Sequence, residues 1–216
     1  MEETAFEHKG QQWKLSAGKA IYWKDERALI IADLHCGKSA HFRKAGIAVP
    51  SNLVEVDLRR LQQLITFYCP DRLIVVGDMF HSDYNNDIAY FKIWRQQFQS
   101  LQFELVNGNH DILALDIYDQ LNISCYDFLD IQNIHFAHDP EMHRAKEKQY
   151  VLSGHLHPGV SISGAAKQSM RLPCFYFGDD YGVLPAFSRF TGMYTIKAQK
   201  SEPVFVVAEN KIIRMQ

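Results

Sequence analysis

The sequence predicts an α/β fold in which two mixed β-sheets pack as a sandwich flanked by helices. Three observations carry this. Compact apolar strands alternate with amphipathic helical segments through the first part of the chain. From about residue 160 helical periodicity vanishes and only β-rich segments follow. The 216 residues are 47% hydrophobic and 22% charged, which is globular composition with enough chain to bury a core. The reading is therefore one domain over 1–216, with a β-rich C-terminal part from about 160. A purely parallel doubly wound sheet fits less well, because the second half is mostly strands.

The first 24 residues alternate around Trp13-Lys14-Leu15 and Ala20–Trp23 and read as one or two strands. Arg27–Ala32 is a compact apolar strand. A helix is expected from Asn52, which has capping-box spacing to Glu55, and Pro70 ends it. Its core face would be Leu53, Val56, Leu61, Leu64 and Ile65 with the aliphatic stem of Arg60. Leu73–Val76 is the next buried strand. Ile88–Leu101 is helical, with Phe91, Trp94 and Phe98 at spacings of three and four. Phe103–Val106 is a strand and Ile112–Leu121 a helix. Ile134–Ala137 and Val151–Ser153 are short strands. The β-rich part carries Val160–Ser163, Cys174–Phe177, Tyr194–Ile196 and Pro203–Ala208, with a hairpin turn at Glu209-Asn210-Lys211 before Ile212-Ile213.

Lys plus Arg total 23 against 25 Asp plus Glu, a net charge of −2, so a globally basic DNA-coating protein is excluded while a local basic patch is not. The longest apolar runs, such as Ala28–Ala32, fall far short of the ~18 residues of a membrane span. The opening MEETAFEHKG has no apolar stretch of a signal peptide. Cys36, Cys69, Cys125 and Cys174 are scattered, which suits a reducing cytoplasm.

Five polar clusters each follow an apolar strand directly: Asp33-Leu34-His35, Gly77-Asp78, Gly108-Asn109-His110-Asp111, His138-Asp139 and Gly154-His155-Leu156-His157. Ligands of open α/β sheets bind at the carboxyl ends of strands, so these clusters are expected to converge on one rim. Imidazole nitrogen with carboxylate oxygen suits Mn, Fe, Zn or Co. Asp33 and His35, like His155 and His157, are two residues apart and can serve one face. Asp78 has two oxygens and can bridge two cations, and Asn109 offers an amide oxygen. Gly77, Gly108 and Gly154 would let the chain turn and leave room for a cation or phosphate. His110 precedes Asp111, and a carboxylate beside a histidine stabilises its protonated form, the arrangement of a general acid. Any one cluster arises readily by chance, and Asp111 could simply cap a helix. Five in order behind five strands favour a two-metal site.

Other candidates carry less. His8 reads as a surface residue and His135 as non-ligating, and His143 lies in a charged segment. His41 and His81 read as supporting groups or substrate contacts. Lys38, His41 and Arg43 are candidates to hold a phosphate or to form a solvated face, and Cys36 reads as a small loop residue rather than a thiolate ligand. Phe175, Tyr176, Phe177, Phe187 and Phe190 pack a core or offer a dimer or partner surface.

The set D-x-H, G-D, G-N-H-D, His and G-H-x-H over Asp33–His157 resembles the calcineurin-like metallophosphoesterase superfamily. ADLHCGKSAHFRKAGIAVP (Ala32–Pro50), GDMFHS (Gly77–Ser82) and LPAFSRFTG (Leu184–Gly192) resemble the bacterial ligase-associated DNA damage response endonucleases, the PdeM-type group. Asp139 stands where the wider superfamily usually has Gly, and Cys36 where an apolar residue is commoner. The resemblance implies one cation on Asp33, His35 and His157, a second on Asn109, His138 and His155, and Asp78 shared. The ions, most simply Mn, would sit ~3.5–4 Å apart around a hydroxide that attacks phosphorus in line. His110, oriented by Asp111, would protonate the leaving oxygen. It further implies a DNA nuclease of repair, linked to an ATP-dependent ligase, an exonuclease and a helicase. Two divalent ions would more than offset the charge of −2, and His41–Lys44 and His143–Lys148 could extend the contact. A nucleotide phosphodiesterase or pyrophosphatase is the alternative from the residues. A non-catalytic scaffold of the same fold is a second, and the complete ligand set counts against it.

Overall fold

The computed structural model describes residues 2–50, 52–81, 84–141, 149–163 and 169–215; His143–Lys148 and Ser82 lie outside them. The opening segment forms three antiparallel strands, β1 (Glu3–His8), β2 (Gln11–Ser16) and β3 (Ala20–Trp23). Lys9 and Gly10 join the first two with φ of 50° and 77°, the positive pair a two-residue hairpin with native strand twist requires. Next come β4 (Ala28–Ala32), β5 (Arg72–Val76), β6 (Gln102–Val106) and β7 (Ile123–Tyr126). The sheet runs β1 to β7 in order, parallel from β4 onward.

Among the described residues four helices lie between these strands: α1 (Lys38–Lys44), α2 (Leu53–Tyr68), α3 (Asn86–Arg95) and α4 (Leu115–Gln120). Strand alternation then divides two cores. Leu29, Ile31, Leu73 and Val75 pack under the helices, against Leu58, Leu61 and Leu64 of α2 and Phe91 and Trp94 of α3. Ile30, Ala32, Ile74 and Val76 face the second sheet, with Trp13, Trp23, Phe136, Leu152, Phe175, Phe177 and Phe205. Each large apolar side chain so buried contributes about 1.5–3 kcal/mol.

The second sheet is ordered β14-β11-β12-β13-β10-β9-β8, from β8 (Leu129–Ile131), β9 (Ile134–Phe136), β10 (Tyr150–Ser153), β11 (Pro158–Ser163), β12 (Ser169–Phe177), β13 (Tyr181–Val183) and β14 (Tyr194–Thr195). The strand β15 (Val204–Ala208) pairs with β12 and with β16 (Lys211–Arg214), across the expected Glu209-Asn210 turn.

Several expectations change. Asn52 makes no side-chain capping bond; α2 ends instead on Cys69, left-handed at φ 46°, ahead of Pro70. Leu58 replaces the half-buried Leu53 and Val56 on its packed face. The helix expected from Ile88 begins at Asn86, where the Asn85 side chain accepts from the Asp87 and Ile88 N–H groups, and gives way to a 3-10 turn at Gln96–Phe98. The helix expected from Ile112 begins only at Leu115, because the preceding residues are a loop and Ile112 and Leu115 are exposed. Thus Asp111 is not its cap. Helix α1 and strands β7, β8 and β13 had no periodic signal of their own. His8, read as a surface residue, is half-buried: it stacks on Phe6 at 5.3 Å and meets Tyr150 edge-on at 4.7 Å. Phe175, Tyr176, Phe177 and Phe187 are core, and Phe190 packs edge-on against Phe42. No described helix is long and apolar enough to cross a membrane.

Candidate metal centre

All five polar clusters meet at one edge, where β4, β5 and β6 of the first sheet end beside β9 and β10 of the second. Backbone bonds zip the loops after β4 and β5: Asp33 N–H to Gly77 O (3.2 Å), His35 N–H to Asp78 O (2.8 Å) and Cys36 N–H to Met79 O (2.9 Å). The loop after β10 joins them, its His155 N–H donating to both Asp33 oxygens at 3.2 and 3.1 Å.

The backbone here is unusual. Asp33 (φ 52°), His35 (48°), Asp78 (45°), His155 (64°) and His157 (48°) are all left-handed. Such backbone costs on the order of 1–3 kcal/mol per residue and persists only where its surroundings over-determine it. Among the three glycines only Gly77 has positive φ, at 77°. What all three supply is closeness. A Cβ would lie 1.7 Å from His138 Nδ1 at Gly77, 2.3 Å from Asp78 Oδ1 at Gly108 and 2.7 Å from Asp33 Oδ2 at Gly154.

Two ligand clusters result, Asp33-His35-His157 and Asp78-His138-His155, each with its donor atoms within 4.8 Å of one another. In the first, His157 Nε2 is 3.6 Å from Asp33 Oδ1 and 3.3 Å from His35 Nε2. In the second, His138 Nε2 is 3.0 Å from His155 Nδ1 and 3.0 Å from Asn109 Oδ1. Asp78 faces both: its Oδ2 lies 3.8 Å from His35 Nε2 and its Oδ1 3.6 Å from His138 Nε2.

Asp33 and Asp78 are 0% and 2% exposed, and among the described residues neither is paired with an arginine or lysine within salt-bridge distance. Buried carboxylates need a cation. His35 and His138 do not supply one: burial pushes His35 down to about 2 and also lowers His138. Lys38 lies near enough for both carboxylates to favour its charge, though burial outweighs them. Converging imidazoles and carboxylates are the donor set of divalent transition metals, so the residues fit two such ions.

The rim holds the remaining candidates. His110 donates its backbone N–H to Asp78 Oδ1 at 3.0 Å, and its ring lies 5.7 Å from that of His35. Asp111 was expected to orient His110; its oxygens instead accept the backbone N–H groups of Phe80 (2.8 Å) and Gly108 (2.9 Å), bracing the loop. Burial pushes its carboxyl up to about 7, against those two donors. His81 is buried between the rings of His110 (4.3 Å), His35 (5.5 Å) and His41 (5.5 Å), and burial pushes it down to about 4.

Arg43 does not stand free for a phosphate. Its guanidinium donates to Asp87 Oδ1 at 3.3 Å and to Pro50 O at 3.1 Å. Asp87, which no sequence motif marked, also accepts from Ser39 Oγ at 2.7 Å and Ala40 N–H at 3.0 Å, fixing α1 and with it Lys38 and His41. The polar pair Asn85-x-Asp87 at the start of α3 was the available signal. Cys36 is core, its thiol pushed well up by burial, and is not a ligand. His135 bonds Asp130 at 2.5 Å and stacks on Phe128, away from the ligand clusters. Asp139 Oδ1 accepts the Glu141 N–H at 2.8 Å, closing a turn beyond His138.

No protein-family model and no curated protein matches the chain. Among solved structures, Pseudomonas putida nuclease MPE aligns over 98% of this chain and 100% of its own, at 30% identity and a TM-score of 0.83. The phosphoesterase Yfce from E. coli aligns over 87% of this chain and 97% of its own, at 12% identity and a TM-score of 0.46, too distant to carry an argument. On the whole-length likeness to the Pseudomonas protein, and with the ligand geometry above, this chain belongs to the calcineurin-like metallophosphoesterase family and is a metal-dependent phosphoesterase.

Proposed function

We propose that the chain is a two-metal phosphodiesterase that cleaves DNA, with Mn as its working metal. The observation that carries the two-metal reading is Asp78, whose two oxygens each face one ligand cluster. The DNA reading draws on the whole-length similarity to a nuclease. When bound, the divalent ions supply positive charge to the non-bridging phosphate oxygens and activate the attacking water.

The chain's own residues do the rest. Asp33, His35 and His157 would hold one ion, and His138, His155 and Asn109 the other, with Asp78 offering an oxygen to each cluster. His110 stands on the open side, backed by the neutral His81 ring, and hands its proton to the leaving alkoxide. Lys38 and His41, held by α1, face the incoming phosphate. A cytoplasmic setting beside an ATP-dependent ligase, an exonuclease and a helicase is the matching context, and co-purification of those partners tests it.

The activity test is a screen of metal-stripped and reconstituted protein against single-stranded DNA, closed circular plasmid and a nucleotide panel. Chelation should abolish turnover, and Mn should restore it better than Mg, which prefers oxygen ligands and retains its water. Full activity in Mg alone overturns the metal assignment. Turnover confined to the nucleotide panel moves the substrate to a small diester or pyrophosphate.

A further inference from the structure

The segment LPAFSRFTG lies outside the metal ligands, yet the fold clamps it to them. Ala186 bridges to Ala32, Phe187 N–H donates to Ala32 O at 2.7 Å and Ser188 N–H to Asp33 O at 3.1 Å. The next residue, Arg189, is thereby fixed beside the ligand loop, its backbone N–H held by Asp57 Oδ2 at 3.1 Å. Its guanidinium has no bonded partner among the described residues, and the residue is exposed.

Two further cations converge there. Lys19, in the turn between β2 and β3, donates to Ala186 O at 2.9 Å and Ser188 O at 3.3 Å. Arg60 of α2 donates to Asp57 Oδ1 at 2.9 Å and to Phe187 O, and lies over the Phe187 ring at 4.1 Å. Its Nε is buried with no partner. Asp57 is thus the carboxylate in contact with this group, and it is shared by Arg60 and the backbone of Arg189. Burial, with Arg60 and Arg189 nearby, pushes the Lys19 ammonium down to about 8.

These cations line a continuous groove that starts at a metal ligand. A cavity of about 190 Å³ is walled by His157, Lys19, Arg189, Pro173 and Met193. It adjoins one of about 460 Å³ that shares Lys19, Pro173 and Arg189 and adds Arg60. Glu209 is the one carboxylate among the described residues lining either. A basic groove with apolar walls leading away from a phosphoester site suits a chain with further phosphates, and gives nothing to a substrate that ends at the scissile group.

We propose that Arg189, with Lys19 beside it and Arg60 bracing Asp57 and the Phe187 carbonyl beneath them, forms a subsite for a flanking phosphate of a nucleic-acid strand whose scissile phosphate lies at the metal centre. This rests on the phosphodiesterase reading and deepens it. The groove sets specificity for a polymer, while the metal centre sets the chemistry.

The test is inhibition of bis-(p-nitrophenyl) phosphate hydrolysis by a short single-stranded oligonucleotide, with Mn-loaded protein at several salt concentrations. Arg189→Ala should raise the inhibition constant about tenfold, the loss of one charge-assisted contact. It should also lower the slope of log K against log salt by about 0.7. Arg189 is exposed and bonds its neighbours through its backbone, so the variant should fold; Lys19→Gln is the second variant and should act in the same direction. Arg59→Ala, the same charge change on the exposed face of α2, is the control. If the oligonucleotide is not cleaved but its inhibition depends on Arg189, the subsite stands and the nuclease reading falls. If it is cleaved and neither variant alters its inhibition constant or salt slope, the subsite is overturned and the nuclease reading stands. An oligonucleotide that does not inhibit overturns both. Should the small diester not turn over, anisotropy of the labelled oligonucleotide reads the same constants.

Discussion

Imidazoles lose water in two settings in this chain, His35 buried and His8 half-buried, and desolvation alone does not tell them apart. His35 at the metal centre and His8 between the sheets are both held neutral by desolvation, at about 2 and about 4. What differs is what faces them. His8 meets the rings of Phe6, Trp13, Tyr150 and Phe177. His35 meets another ligand nitrogen at 3.3 Å and a carboxylate oxygen at 3.8 Å. Several electron-pair donors aimed at one another are mutually repulsive unless a cation or a proton lies between them, and neutral imidazoles carry too few protons. A metal site is therefore marked by convergence of donors on left-handed backbone, and a histidine packed among aromatic rings by its absence.

Asp78→Asn should break that contrast most severely. It removes the charge both clusters share, so both ions should be weakened, with a loss beyond the ~10–100-fold typical of a supporting group. Metal analysis with turnover decides it; two tightly held ions and normal activity would show that the clusters do not depend on Asp78.

Much of this was legible in the sequence because the signal is local. Each ligand lies within a few residues of an apolar strand end, and parallel strands deliver their ends to one edge. The convergence of two different sheets on that edge, and the left-handed φ values, come from long-range backbone bonds such as Asp33 N–H to Gly77 O. Arg43 read as a phosphate candidate or part of a solvated face because its partner, Asp87, is distant in sequence. Lys19, Arg60 and Arg189 are scattered along the chain and met only when the β2–β3 turn, α2 and the 184–192 segment packed together. His8 read as surface and is half-buried for the same reason: its polar type says surface, while its aromatic neighbours include the distant Tyr150 and Phe177.

His110 lies between the two settings, beside the donors yet outside both ligand clusters. His110→Asn should keep both ions and lower DNA cleavage by on the order of 10²–10⁴, the contribution of a positioned acid. A nitrophenolate leaves without a proton, so the loss on a nitrophenyl diester should be smaller. His157→Asn should instead strip an ion and damage both reactions alike. Metal lost from His110→Asn, with equal losses on the two substrates, would make His110 a ligand.

The smallest effect is expected at the other pole of the comparison. His8 Nε2 is buried without a partner, and desolvation holds the imidazole at about 4 against an ordinary 6.5. As pH falls below 6.5 the unfolded chain takes a proton that the folded chain refuses until about 4. The cost of keeping His8 neutral is thus absent above 6.5 and grows as pH falls toward 4. His8→Phe keeps the ring among its aromatic neighbours and has no proton to refuse. Its stability relative to the parent should therefore rise on acidification, read as a urea midpoint difference that is larger at about pH 5 than at about pH 7.5. Both proteins are best measured without metal, so that release of ions from the ligand histidines does not enter the difference. A midpoint difference that is the same at both pH values would mean that His8 is charged in the folded protein, and that aromatic burial alone does not keep an imidazole neutral here.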